Sequence, residues 1–382
     1  IDEDYIVMTP HAPLMEIVTE PVLRSAAEAK TFLQELRLLA RYLGVSDADM
    51  EKGQLRCDAN ISLRPIDQGT GDELIYATRD EKFYPKIEVK NINSFKAVEK
   101  ALEFEIARQT ELWEAGTPPS QQTTRGWEES TQETVEQRAK EEAHDYRYFP
   151  EPDIPPLKFG INVPEGSNVF DVALLKARLP ETPGAKRARF MDQYGFGSTD
   201  TRLLIEDKAV ANFTEQVISE LQEWLAADTT REKAEKLWEE KKSEFARLVA
   251  GWTLSKYFKL LNEAGVSIKE SKITTENFAE LLVLIYQNKI NSTAAQQVLE
   301  EMFKAGGDPD QIVAKKGLAQ ESDEGKLAEA VAKVIAGNPS VVADYKGGKQ
   351  NALQFLAGQV MKESKGKANP QIVQKLLKEK LN

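Results

Sequence analysis

Five polar side chains alternate along one short stretch of this chain, and their types are those that phosphoryl transfer needs. From Gln54 to Arg64, the side chains of Arg56, Asp58, Asn60, Ser62 and Arg64 fall on one face of an extended strand. Leu55, Cys57, Ala59, Ile61 and Leu63 fall on the other. A guanidinium can grip phosphate oxygens in bidentate fashion, and a carboxylate between two of them can hold a magnesium ion. Residues 86–90 repeat the pattern, with Lys86, Glu88 and Lys90 opposed to Ile87 and Val89. Acids for a metal and bases for the charge that grows on a transferred phosphoryl group are the inventory of that chemistry. A solvated sheet face laced with ion pairs, each worth under ~1 kcal/mol, has the same composition. The pattern alone leaves both readings open.

Other candidates are more local. The run His144 to Asp153 is dense in aromatics and charge, and Arg147 stands between Tyr146 and Tyr148. It could bind a phosphate or carboxylate, or it could pin a domain edge. His11 and His144 have no second metal ligand at a recognisable spacing, so structural or surface roles suit them. Cys57 lies on the apolar face of its strand and reads as a core residue. As the single cysteine, it also excludes an internal disulfide framework. From Tyr345 to the end there are eight lysines against two glutamates, on a chain whose net charge is −12. Any nucleic-acid contact is thereby expected at that end, although a solvated helical face would look the same.

These residues need elements to position them. A length of 382 residues suggests two or three domains at roughly 150 residues each. A hydrophobic share of 41% is enough for a proper core. No stretch approaches the ~18 apolar residues of a membrane span, no leader pattern is visible, and a reducing compartment is expected. The chain opens on Ile1 in an acidic stretch, which reads as a fragment lacking its natural N-terminus. Ser25 caps a helix that runs to Gly44, and Asn93 or Ser94 caps another from Phe95 to Ala115. With the two alternating strands, residues 1–157 predict an α+β domain whose sheet carries one polar face. The proline-rich segment 150–156 marks its edge. Beyond it no strand pattern is evident. Helices are expected at about 183–194, 199–227, 230–262, 275–288, 291–305, 308–316, 323–337, 338–345, 348–365 and 369–381. They form an all-α body, 158–317, and a smaller helical tail, 318–382.

Several strings, in order along nearly the whole chain, resemble the B subunit of glutamyl/aspartyl-tRNA amidotransferases. They include Pro13 to Pro21, Gly53 to Ser62, Glu88 to Phe95, Arg138 to Ala143, His144 to Asp153, Phe355 to Lys362 and Gly366 to Pro370. The resemblance implies a ligase subunit that spends ATP, with Mg2+, to phosphorylate the side-chain carboxylate of Glu-tRNA(Gln) or Asp-tRNA(Asn). Ammonia channelled from a glutaminase A subunit then displaces the phosphate, and a small C subunit completes a heterotrimer. It implies an antiparallel-sheet cradle of the glutamine synthetase type, partial here, with a helical body and a YqeY-like tail that binds tRNA. By this match Glu16 and Asp58 would hold metal and act in catalysis. Arg56, Lys90, Asn91 and Arg147 would contact ATP. The tail residues Lys362, Lys365 and Lys367 would meet tRNA. The setting implied is the bacterial cytoplasm, or an organellar matrix in a eukaryote, with no membrane partner.

The chain departs from the family pattern at Met8 to His11, at Val22, in an insertion around 67–85, at Arg125-Gly126 and around Asn291 to Ala295. Two other functions compete with the amidotransferase reading. One is a non-catalytic tRNA-binding or assembly protein derived from the same family. The other is an ATP-dependent ligase acting on free amino acids, which would need neither tRNA nor the basic tail.

Overall fold

The computed structural model describes residues 15–64, 84–139, 158–164, 167, 169–227, 230–320, 324–349, 351–364 and 367–381. His11, His144, Arg147, Lys365 and most of the insertion lie outside those residues. The chain divides into two units, 1–182 and 183–382.

The first unit is built on a four-stranded sheet in the order β1 (Cys57–Ile61), β2 (Ile87–Ile92), β3 (Thr123–Glu128), β4 (Glu133–Ala139). β1 and β2 run antiparallel, as do β3 and β4, but β2 and β3 are parallel. The expected antiparallel sheet is therefore mixed. Its cause is the helix between β2 and β3, which carries the chain back so that it re-enters the sheet in the same direction. That helix follows α1 (Ala26–Leu43) in the chain and is α2 (Phe95–Glu114). Both helices begin on a serine whose hydroxyl accepts an otherwise orphaned N–H. Ser25 accepts from Glu28, and Ser94 from Ala97, each at 3.1 Å. α1 ends on Gly44 in the left-handed region, φ 70°.

One face of the sheet is closed by these helices. Ala59, Ile87, Val89, Ile92 and Trp127 pack with Ala97, Val98, Ala101 and Leu102 of α2 and with Ala26 and Leu33 of α1. The helix pair is further joined by Lys30 and Glu99 at 2.6 Å. β5 (Phe159–Gly160), β6 (Phe170–Asp171) and α3 (Val172–Arg178) complete the unit as a small parallel pair followed by a short helix. No strand was expected past residue 157, because two-residue strands are too short to show a period.

The second unit is helical throughout its described residues. α4 (Pro183–Gln193), α5 (Ser198–Ile205), α6 (Lys208–Ala226) and α7 (Arg231–Ala250) come first. The helix expected over 199–227 is split, because Asp207 caps a new start and accepts from Ala209 and Val210. α7 runs through a wide π-type turn, Gly251–Tyr257, into α8 (Phe258–Ala264). α9 (Thr275–Tyr286), α10 (Ser292–Ala305) and α11 (Pro309–Lys316) finish the body around buried Phe190, Phe245, Tyr257 and Phe278. The tail helices α12 (Glu324–Gly337), α13 (Pro339–Lys346), α14 (Asn351–Glu363) and α15 (Pro370–Leu381) close on a core of their own. That core includes Leu327, Val331, Leu356, Val360, Val373 and Leu377. No helix of the described residues is long and apolar enough to cross a membrane.

Candidate active site

The alternation expected of the first strand holds. Along β1 and its approach, Arg56, Asp58 and Asn60 are exposed, whereas Leu55, Cys57 and Ala59 turn towards the helices. On β2, Ile87 and Val89 are buried and Glu88 and Lys90 face the other way. The two polar rows meet side by side: Asn60 is opposite Glu88, and Asp58 is opposite the Lys90–Asn91 step.

That step is a β-bulge. Cys57 pairs with Ile92 and Ala59 with Val89, so one residue of β1, Asp58, stands opposite two of β2, Lys90 and Asn91. The extra residue is absorbed at Asn91, whose backbone is left-handed at φ 63°. Asparagine tolerates that conformation better than most side chains do. Simple alternation would have put Asn91 with Val89 against the helices. The bulge keeps it exposed beside Lys90 and returns Ile92 to the core.

Lys90 is the centre of the charge arrangement. Its ammonium lies 3.6 Å from Asp58 Oδ2 and 3.6 Å from Glu88 Oε1. Glu88 is steadied by Thr124 of β3, whose hydroxyl donates to Glu88 Oε2 at 3.0 Å. At 3.6 Å the lysine is attracted to both acids without a good hydrogen bond to either, so among the described residues its N–H groups remain available. Side-chain exposures of 34% for Lys90 and 38% for Asp58 place both at the solvent boundary. Such pairs contribute under ~1 kcal/mol, little enough for an anion to compete.

The opposite face of the same strands carries a second charged cluster. Glu105 of α2 is fully buried. It accepts from Arg108 at 2.7 Å and from Gln109 at 3.1 Å, lies 3.1 Å from Arg125 of β3, and also takes the Thr134 hydroxyl. Burial by itself would raise the Glu105 carboxyl, but hydrogen bonds from Arg108, Thr134 and Gln109 hold it below the ordinary carboxylate range. Arg125 completes the cluster by donating to the Thr134 carbonyl at 2.6 Å.

The remaining expected residues are placed as follows. Arg56 is exposed at the entry to β1. Glu16 lies in an exposed segment without regular secondary structure, and no hydrogen bond or ion pair among the described residues ties it to Asp58. Cys57 is an unpaired thiol that burial, and then the adjacent Asp58 carboxylate, push up to about 11, so it stays protonated and unreactive near neutrality. Lys362 and Lys367 are exposed at the corner between α14 and α15. A Cβ on Gly317, which ends α11, would stand 3.8 Å from the Lys367 ammonium. Sequence reading did not pick out Thr124 or Gln137, and marked Gly126 only as part of a departure from the family pattern; β3 and β4 bring them to the strand next to β2. The alternation of Arg125 and Trp127 with Gly126 and Glu128 was the available signal.

Among the described residues no three His, Cys, Asp or Glu side chains converge as a metal cage. Magnesium does not need one. It keeps several waters and is held by one or two carboxylates together with substrate phosphates, so Asp58 and Glu88 fit a nucleotide-borne ion.

A helix-backed sheet with an open charged face, followed by an all-α unit, matches two family models in the same order. The one described as the GatB/GatE catalytic domain covers residues 10–163, and the one described as the GatB domain covers 232–381. This is an amidotransferase subunit, a ligase-type protein of α+β build. The aspartyl/glutamyl-tRNA(Asn/Gln) amidotransferase B subunit from Carboxydothermus hydrogenoformans is 43% identical over 372 residues, covering 97% of this chain and 68% of the relative. The same-named proteins of Persephonella marina and Rippkaea orientalis are 42% and 41% identical over 369 residues, with 69% and 66% of their lengths covered. The chain belongs to the family of aspartyl/glutamyl-tRNA(Asn/Gln) amidotransferase B subunits.

Proposed function

We propose that the open face of the β1–β2–β3 sheet is where a transfer-RNA-borne carboxylate is activated by ATP and then amidated. The observation that supports this most is the Lys90 ammonium held at 3.6 Å between two carboxylates without being consumed by either, at a bulge inside the catalytic-domain match. A carboxylate is a poor electrophile, because its charge repels nucleophiles and it lacks a leaving group. Magnesium-bound ATP supplies the phosphoryl group that creates one.

This chain's residues then have distinct tasks. Asp58 and Glu88 offer oxygen ligands to the ion. Lys90, with N–H groups to spare, meets charge developing on phosphate oxygens. Asn91 is turned by its bulge to the same face, and Arg56 at the strand entry can hold a second phosphate oxygen. Glu16 joins the metal set if the 15–24 segment folds onto the face, and Arg147 is proposed as a further anion contact. Cys57, kept neutral, is no glutaminase nucleophile, so ammonia would come from a glutaminase A subunit in a complex with a small C subunit. Lys362, Lys365 and Lys367 are proposed to bind tRNA(Gln) or tRNA(Asn) phosphates. The domains would be a glutamine synthetase-like cradle at 1–157, a helical body at 158–317 and a tRNA-binding tail at 318–382. Such a complex would work in the cytoplasm.

Asp58→Ala in the assembled amidotransferase tests the reading. Formation of Gln-tRNA or Asn-tRNA should fall at least 100-fold while glutaminase activity and tRNA binding persist. Unchanged amidation would remove the site and leave a tRNA-binding or assembly role.

A further inference from the structure

Gly126 has a Lys90 partner on one side and, on the other, a strand that bulges. The first bulge, in β2, adds Asn91 opposite Asp58. The second is in β4: Thr124 pairs with Arg138 and Arg125 with Glu136, so Gln137 is the extra residue. Both aim a carboxamide at one place. A Cβ built on Gly126 would overlap Gln137 Nε2 and stand 3.0 Å from Asn91 Nδ2. Lys90 is the register partner of Gly126 in β2, so the two amides converge over the backbone position next to it. Bulges re-aim side chains near functional sites, and a strand glycine marks a place where something else comes close. Two of them flanking one glycine stack two amide donors over its buried backbone, on the strand next to Lys90.

We propose that Gln137 is a binding residue of this site, and that it and Asn91 donate over Gly126 to a phosphate oxygen of a nucleoside triphosphate. In this chain Gly126 leaves room for the Gln137 amide, which a side chain there would displace. The inference rests on the reading of the open face as the ATP site and adds a residue and a steric requirement to it. Neutral amides suit the task, since they satisfy phosphate oxygens without adding a charge that would trap the product. Gln137 is exposed, so changing it leaves the core intact.

The test is steady-state kinetics of the assembled amidotransferase with ATP varied and mischarged tRNA saturating. Gln137→Ala should raise KM for ATP about tenfold with little change in KM for tRNA. Gln137→Glu, which sets a carboxylate against the phosphate, should raise it further. Gly126→Ala should reproduce the Gln137→Ala increase, and the double variant should be no worse than either single one. Unaltered KM for ATP in both Gln137 variants, in an enzyme that Asp58→Ala still inactivates, would overturn the inference and leave Gln137 as packing over Gly126. If Asp58→Ala has no effect, the active-site reading falls by itself; Gln137 is then still judged by its own KM for ATP.

Discussion

The two faces of one sheet carry charged clusters of similar composition and opposite character. Towards the helices, Glu105 is fully buried and takes hydrogen bonds from Arg108, Gln109 and Thr134, with Arg125 at 3.1 Å. Towards solvent, Lys90 sits 3.6 Å from each of two carboxylates. Both combine acids with bases, and both would register as charged residues on a sheet. What separates them is saturation. Both oxygens of the inward carboxylate are taken by donors that hold β3 and β4 against α2. The outward lysine is positioned by its neighbours and left with donors unused. A charged cluster that is complete is architecture, and one that is incomplete is a candidate for a ligand.

The sharpest way to break this contrast is Glu105→Ala. It strips the acceptor from Arg125 and Arg108 inside the fold, and removing one partner of a buried ion pair costs about 3–5 kcal/mol. Urea unfolding of the first unit's transition should show that loss. The pH dependence follows from the same cluster. Glu105 is held below its ordinary value of 4.5, so its stabilisation is complete above that value in the unfolded chain. It is lost as pH falls through the lower, folded-state value. Acid should destabilise the natural chain more steeply below about pH 4.5 than it does Glu105→Gln. Equal acid sensitivity would mean the knot is not the structural element described.

Lys90→Ala should do the reverse. Its ion pairs are half-exposed and unbonded, so the stability change should stay below ~1 kcal/mol. The rate of ATP-dependent amidation should drop about 100-fold, equivalent to roughly 2.7 kcal/mol of transition-state stabilisation. A variant that unfolds but retains its specific activity would invert the assignment of the two faces.

A smaller effect tests the bulge that joins them. Asn91→Val places a β-branched residue at φ 63°, where it costs roughly 1–2 kcal/mol, and Asn91→Gly should cost little. Thermal unfolding of the two variants separates backbone strain from loss of the amide, because only activity should suffer in the glycine variant.

How much of this could be read beforehand depends on which physics sets each feature. The polar row Arg56–Asp58–Asn60 was legible because a strand's period of two leaves its mark in the residue types. The helix starts at Ser25 and Ser94 were legible because a capping side chain is a local requirement, and each accepts the N–H expected of it. Strand direction was not legible, since alternation looks the same either way along the chain. It was settled by α2 returning the chain to a parallel β3. Nor were β3 and β4 legible: Arg125 faces the core there and owes its place to Glu105, twenty residues earlier. Bulges are invisible for a deeper reason. Each shifts the parity that periodicity relies on, so a reader counting by twos assigns Asn91 to the wrong face. Gln137, the extra residue of β4 that lies over Gly126, was lost in that way.

A third carboxylate, in the second unit, extends the comparison to a group whose charged neighbours are acids. Burial pushes the Glu280 carboxyl of α9 up to about 7, reinforced by Asp308 and Asp310 at the start of α11 and by Glu276 one turn earlier. Here the folded-state value lies above the unfolded one. The protonated acid therefore favours folding below the ordinary value of 4.5, and that advantage is lost as pH rises towards 7. Glu280→Gln keeps the shape and the hydrogen bond to Asp310 without the charge. At pH 8 it should stabilise the unit by on the order of 1 kcal/mol after solvent screening, or roughly 2–4 °C in Tm. At pH 4 natural chain and variant should melt together, since both are then neutral at that position. A gain that persists at pH 4 would point to packing, and no gain at pH 8 would mean that water already screens the four acids from one another. Glu105 gains from ionisation because it is surrounded by donors, and Glu280 loses by it because its neighbours are acids.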